Sequence, residues 1–241
     1  MKLWYQSLGR LDLVPGYMKI LEGIVTDAAD PDTTIEVHGL KKSAGIGDHY
    51  RFLEFRDAQE VVANGVAAGN QGFDAFLVGN IGDPGLHELR ECLNVPVLGL
   101  CQTTLHLACL MGASFSLVTI NDKFTPRIIE NVERYGLKGR MVSAERMKFD
   151  RIPEIERAIQ EPEINQRMRD QFAEAAEAAV KKGAEVIIPA VGGVMAFLAH
   201  ENIGRVERAP VLNGIVALIK MGEMAVKLKR QTGEFTSRQM T

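Results

Sequence analysis

Few side chains in this sequence combine a titratable or nucleophilic group with a setting that could use it. Its three cysteines, Cys92, Cys101 and Cys109, sit in one short stretch without a CxxC pair, which fits neither a disulfide framework nor a zinc site. Cys101 follows the apolar run 96–100 and precedes a helix start at Gln102-Thr103-Thr104, where a helix dipole would favour its thiolate. It is either a thiol at a cleft or the small buried hydrophobe that free cysteine usually is; Cys92 and Cys109 fall inside helical patterns and read as packing residues. His49 lies in the loop Ala44-Gly45-Ile46-Gly47-Asp48-His49-Tyr50-Arg51, which could fold over a cleft and deliver an imidazole, with Arg51 as anion clamp and Glu54 as orienting carboxylate. Its alternative is an ordinary surface-loop histidine. His49 and Cys101 are therefore the two candidate proton carriers, while His106 reads as a packing residue and Asp83 as a cap of the helix that follows it.

Candidate binding groups gather at the ends of apolar runs. Gln6 and Ser7, with Tyr5 before them, end the first such run and would line a floor. Thr119 and Asn121 offer a hydroxyl and an amide at another, and Lys123 could neutralise a carboxylate or enolate there or be a solvated lysine. Ile81-Gly82 and Gly192-Gly193 allow an anionic oxygen close to backbone N–H groups, or else form turns that need positive φ.

The elements that must position these groups alternate. Short apolar runs at 3–6, 34–38, 75–79, 96–100, 115–120, 141–144, 186–189 and 211–213 predict strands. Helical patterns fall at 57–68, 84–92, 103–111, 126–135, 164–182 and 215–230. Repeated β then α argues for parallel sheets flanked by helices. The segment from Gly72 to Asn80 echoes that from Gly183 to Ala190, and Asn94-Val95-Pro96-Val97-Leu98-Gly99 echoes Ala209-Pro210-Val211-Leu212-Asn213-Gly214, so two halves share a topology. The predicted division is residues 1–100 with 213–241 for one α/β domain and 101–212 for the other. Ligands of such sheets sit beyond the carboxyl ends of the strands. That places Asn80, Ile81 and Gly82 on one wall of a cleft and Ala190, Val191, Gly192 and Gly193 on the other. Residues 148–166 break the rhythm as a flap or exposed helical insertion, and the tail from Gln231 reads as a frayed end. The stripe Met221, Met224 and Leu228 is either an oligomer face or core packing.

Composition excludes several classes. With 241 residues, 46% hydrophobic and 24% charged, the chain reads as a well-packed globular protein, and no apolar run approaches the roughly 18 residues of a membrane span. A net charge of −3 and no basic block interleaved with aromatics argue against nucleic acid as a partner. Reduced thiols and an opening without a signal-peptide pattern predict a cytoplasmic protein.

The run Gly79-Asn80-Ile81-Gly82-Asp83-Pro84-Gly85-Leu86, with Pro96-Val97-Leu98-Gly99-Leu100, Leu105-His106-Leu107-Ala108 and 112–119, resembles the aspartate/glutamate/hydantoin racemase superfamily, nearest its hydantoin racemase branch. The resemblance continues through Pro126, Tyr135-Gly136-Leu137, Gly139-Arg140 and 185–199. Lys2 to Ser7 and Pro210 to Gly214 further resemble a subgroup often labelled hydrogenase expression protein. The resemblance implies two similar α/β domains around a cleft, no cofactor and no metal, and proton removal beside a carbonyl by two facing cysteines, one thiolate taking the α-proton and one thiol donating. Its decarboxylase branch keeps only the second cysteine, and its maleate isomerase branch uses one as a nucleophile. Here the motif positions of both cysteines hold other residues, Asn80 and Ala190, and neither side chain exchanges a proton at neutral pH.

The expectation is thus an α/β protein with a racemase-type cleft. It would act as a cofactor-independent isomerase beside a carbonyl of a small carboxylate or hydantoin-like cyclic amide, without the two-cysteine mechanism. Decarboxylation or ring opening on the same fold, and non-catalytic binding of a small carboxylate, are the alternatives; a homo-oligomer is compatible with all of them.

Overall fold

The computed structural model describes residues 1–43, 45, 49–148 and 153–239. Two parallel sheets carry the molecule. The first has the order β2-β1-β3-β4, from β1 (Lys2–Gln6), β2 (Thr34–His38), β3 (Ala75–Val78) and β4 (Val97–Gly99). The second has the order β6-β5-β7, from β5 (Phe115–Thr119), β6 (Met141–Arg146) and β7 (Val186–Pro189), and Val211 bridges Ile187 in parallel where a fourth strand would lie. Both halves therefore repeat one arrangement, second strand, first, third and fourth, as the internal echoes predict. The predicted strand at 211–213 is reduced to that single bridge, because Asn213 already caps a helix by accepting from the backbone N–H of Ile215 and Val216.

Helices cover the sheets: α1 (Pro15–Ala28), α2 (Arg51–Gly69), α3 (Leu86–Cys92), α4 (Leu100–Met111), α5 (Thr125–Arg134), α6 (Pro153–Gln160), α7 (Pro162–Lys181), α8 (Gly192–His200) and α9 (Gly214–Thr232). A small antiparallel pair, β8 (Arg205–Val206) and β9 (Ala209–Pro210), precedes α9. The period-2 alternation of β1 divides its side chains between two cores. Leu3 and Tyr5 enter a central cluster, while Trp4 joins Phe73, Phe76 and Val78 in an outer one. The central cluster draws Leu77 from the first sheet and Phe115, Leu117 and Ile188 from the second, so the halves share apolar packing. Helix α9 packs on β3, β4, α1 and α4. Among the described residues no helix is long and apolar enough to cross a membrane.

Three expectations change. Helix α1 is absent from the predicted elements, although Pro15 at its first turn and buried Leu21, Val25 and Ala28 are its signals. Residues 148–166, of which 149–152 lie outside the described residues, are not an exposed insertion throughout, since α6 buries Ile155 and Ala158 and α7 begins at Pro162. The tail is docked: Phe235 packs against the central core, and the Arg238 guanidinium donates to the carbonyls of Arg90 and Leu93.

Candidate functional site

The ends of β1, β3 and β7 converge where the halves meet. Gly79 follows β3 and donates its N–H to the Gln6 carbonyl at 2.8 Å, and Ala190 follows β7 and donates to the Val118 carbonyl at 2.8 Å. Residue 79 has to be glycine, because a Cβ there would lie 2.3 Å from the Tyr5 ring. Opposite stands Gly192, the first residue of α8. A Cβ on Gly192 would be 3.7 Å from the Gly79 carbonyl oxygen and 4.0 Å from the Tyr17 hydroxyl, both ordinary contacts. Its φ is not among the positive values. Neither backbone strain nor crowding requires glycine at 192, and a Cβ there would rest in ordinary contact with Gly79, Leu100 and Tyr17.

Two tyrosines lie beside these glycines, Tyr17 at Gly192 and Tyr5 at Gly79. Tyr17, on the first turn of α1, shares a hydrogen bond with Ser7, and burial raises its pKa to about 12. Tyr5 is completely buried, its hydroxyl has no hydrogen-bond partner, and burial raises its pKa with the neighbouring Tyr17 adding to the effect. Both phenols are neutral donors near pH 7.

Of the residues singled out in the sequence, Ser7, Asn80 and Gly192 lie at this junction; the others have different surroundings. The Gln6 amide is turned toward α2, donating to the Ser7 carbonyl at 2.9 Å and accepting from Trp4 Nε1 at 3.1 Å and Asn64 Nδ2 at 3.0 Å. Asn80 Oδ1 accepts from the Gly82 N–H at 2.7 Å, and Glu54 Oε1 stands 2.7 Å from where a Gly82 Cβ would be, so Gly82 does not offer its N–H to the cleft. Ile81, Ala190 and Val191 are buried among apolar neighbours. Gly193 faces Ile155, whose Cδ1 would be 2.4 Å from its Cβ. The Thr119 hydroxyl donates to the Glu145 carbonyl at 3.2 Å and accepts from Thr125 at 2.7 Å. Asn121 Oδ1 accepts from the N–H groups of Lys123 and Phe124, at 3.1 and 2.7 Å, ahead of α5. The exposed Lys123 ammonium lies 4.5 Å above the Tyr50 ring.

The two predicted proton carriers also differ from expectation. His49 is half-buried with its ring tilted against Tyr50, centroids 6.4 Å apart; four residues of its loop, Ala44, Ile46, Gly47 and Asp48, lie outside the described residues. The expected partners of His49 are engaged elsewhere, Arg51 with Glu130 at 2.5 Å and Glu54 with Arg127 at 2.6 Å. Cys101 is wholly buried in the first turn of α4, and burial pushes its thiol pKa up, with Asp83 adding to the shift. The predicted thiolate is therefore disfavoured, because desolvation outweighs the helix dipole. Asp83 does cap a helix, but α4 rather than the adjacent α3: its two oxygens accept from the N–H groups of Cys101 and Gln102, each at 2.8 Å, and from the Tyr135 hydroxyl at 2.7 Å. Gly99 permits that approach, since its Cβ would lie 2.4 Å from Asp83 Oδ1. Burial raises the Asp83 pKa to about 6.

Contacts across the junction hold the walls together. Asn131 on α5 donates to the Gly82 carbonyl at 3.0 Å, beside the Arg127–Glu54 pair. On the other side, Glu156 on α6 accepts from the N–H groups of Gly16 and Tyr17 at 2.9 Å each, fixing the start of α1. No cluster of three potential metal ligands occurs among the described residues.

The description Asp/Glu/Hydantoin racemase fits residues 16–222 of the chain. Hydantoin racemase from Pseudomonas sp. (strain NS671) is 29% identical over 218 residues, 90% of this chain and 83% of that protein. Among solved structures, allantoin racemase from Pseudomonas fluorescens aligns at TM-score 0.81 and 26% identity, covering 100% of this chain and 95% of the other. Allantoin racemase from Klebsiella pneumoniae, at TM-score 0.84 and 24% identity over 100% of this chain and 91% of the other, shows the same fold. The repeated sheets, the cleft at their strand ends and the match over most of the sequence agree: the chain belongs to the Asp/Glu/hydantoin racemase family.

Proposed function

We propose that the protein is a cofactor-independent enzyme acting on the carbon beside a carbonyl of a small cyclic amide or carboxylate, with 5-substituted hydantoins foremost, by a route that does not use two facing thiols. The observation that supports this reading is the meeting of the β1, β3 and β7 ends with the N-terminus of α8, the strand-end position where open α/β sheets bind ligands, with the Cβ position of Gly192 3.7 Å from the Gly79 carbonyl oxygen. The similarity to hydantoin and allantoin racemases suggests the substrate class. Asn80 and Ala190 stand at the motif positions of the family's cysteines, and neither replaces a thiol in proton exchange. Hydrogen bonds to the developing enolate oxygen would then supply much of the rate.

Proton NMR in D2O tests this with a 5-substituted hydantoin, glutamate, an arylmalonate, maleate and a small lactam. Loss of the hydantoin C5 proton signal in the presence of protein is the expected result, and decarboxylation or ring opening would show a lyase or hydrolase instead. His49→Ala and Cys101→Ala in the same assay report whether either residue carries the proton. A second reading, a non-catalytic binder, is favoured by Asn80, Ala190 and the protonated Cys101 thiol. Saturable binding with no conversion of any compound would establish it.

A further inference from the structure

We propose that the cavity between α2, the turn 82–85, α3 and α5 binds a small doubly charged oxyanion, tetrahedral or a short dicarboxylate, with Arg134 and His87 as its principal contacts. The cavity measures about 250 Å³ and shares no lining residue with the junction of Tyr17, Gly79 and Gly192, so it is a second site, independent of the reaction proposed above. Its walls come from both halves, α2 and α3 on one side and α5 on the other.

Charge is unevenly matched there. Arg127 pairs with Glu54 at 2.6 Å and Arg51 with Glu130 at 2.5 Å. Asp83 also lines the cavity, but its oxygens are taken by the N–H groups of Cys101 and Gln102 and by the Tyr135 hydroxyl. Arg134 and His87 remain, against Glu88 alone, and among the described residues neither of the two has a hydrogen-bond or ion-pair partner. Both are exposed, so an incoming ion reaches them without displacing protein. Further positive charge stands close by. Arg51, with Arg134 and Arg127 adding to it, holds the Glu130 carboxyl below the usual carboxylate range, which gathers three guanidiniums about one acid. Partial desolvation, then the charges of Arg90 and Arg134, holds the His87 imidazole below its ordinary pKa, with only Glu88 and Glu91 opposing. An anion relieves such repulsion, and a guanidinium beside an imidazolium offers it charge-assisted hydrogen bonds from two elements. Arg51 adds a third donor at little cost, because its side chain is 61% exposed and exposed ion pairs contribute little.

The test titrates inorganic sulfate, which keeps its double charge on both sides of neutrality, and separately succinate, into wild type, Arg134→Gln and Arg205→Gln at constant ionic strength. The His87 imidazole, assigned by its loss in His87→Asn, is followed by NMR. Arg205 is an exposed arginine on β8 and serves as the control. Saturable movement of the His87 signal is expected in wild type and Arg205→Gln, with affinity lowered about 10-fold in Arg134→Gln. Bound sulfate is expected to raise the His87 pKa, since the anion favours the imidazolium. Because Arg134 is exposed, its replacement should leave Tm unchanged. Saturation by sulfate alone or by succinate alone supports the site and decides between a tetrahedral oxyanion and a dicarboxylate. A drift that never saturates, equal affinities in Arg134→Gln and Arg205→Gln, or a His87 pKa that sulfate leaves in place overturns the inference, whatever the hydantoin assay gives.

Discussion

At the scale of single residues, the environment of each side chain decides between roles that its type leaves open. Asp83 is an aspartate held by three donors yet buried, and burial prevails, raising its pKa to about 6 from an ordinary value near 3.8. A raised folded-state pKa makes its stabilising contribution complete below pH 3.8 and progressively lost as pH rises through 6, by about 3 kcal/mol in all. Denaturant titrations of wild type and Asp83→Asn are expected to show wild-type stability declining relative to the variant between pH 4 and 6.5; parallel pH profiles would contradict this. At Gly192 the added methyl of alanine meets only ordinary contacts and improves helix propensity by about 0.5–1 kcal/mol. Gly192→Ala should therefore keep or raise Tm while weakening hydantoin binding, and Gly192→Val or Asn80→Ala should weaken it too. Unchanged affinity in these variants, measured by calorimetry, would move the site elsewhere.

At the scale of elements, α6 is the connection that the sequence signals least. It joins the start of α1, through Glu156, to the start of α8, where Ile155 fills the space left by Gly193. Ile155→Ala removes a buried side chain and is expected to cost about 2–4 kcal/mol by chemical denaturation. Glu156→Gln keeps the shape but weakens two charge-assisted hydrogen bonds, so a loss nearer 1 kcal/mol is expected, with faster hydrogen exchange at the amides of Gly16 and Tyr17. Protection unchanged at those two amides would show that α1 does not depend on α6 for its start.

At the scale of the whole molecule, the two sheets contribute to one apolar cluster, and α4 and α9 enter it. Shared packing makes the halves interdependent. Denaturant unfolding followed by tryptophan fluorescence from Trp4 and by far-UV circular dichroism is therefore expected to give coincident single transitions. Two separated transitions would mean that each half holds its own stability. The inter-half pair Arg127–Glu54 belongs to this scale as well: with the arginine side chain only 6% exposed, Arg127→Ala leaves Glu54 without its partner and is expected to lower stability by about 1–3 kcal/mol.

The strands and most helices were legible in the sequence because apolar period and turn residues act locally: 34–38 and 186–189 coincide with β2 and β7, and the echo of 72–80 in 183–190 predicts the repeated sheet order. Of the motif Gly79-Asn80-Ile81-Gly82, expected to form one wall of a cleft, Ile81 is buried in the core and the Gly82 N–H is taken by Asn80. Side-chain direction was not legible, since it depends on which face of a strand meets which helix. Gln6 and Ser7 are neighbours, but alternation sends the amide to α2 and leaves the hydroxyl with Tyr17. Cys101 carried the right chemistry at a helix start, and only its burial determined that the thiol stays protonated. The placing of Tyr17 beside Ser7 and Gly192 was not legible because those neighbours are distant in sequence. The sequence by itself determined the β/α order, the duplicated halves and the absence of thiols at 80 and 190. Tertiary packing alone decided which thiol, carboxyl and phenol are buried and so keep their protons, because desolvation and close approach exist only once the halves have come together.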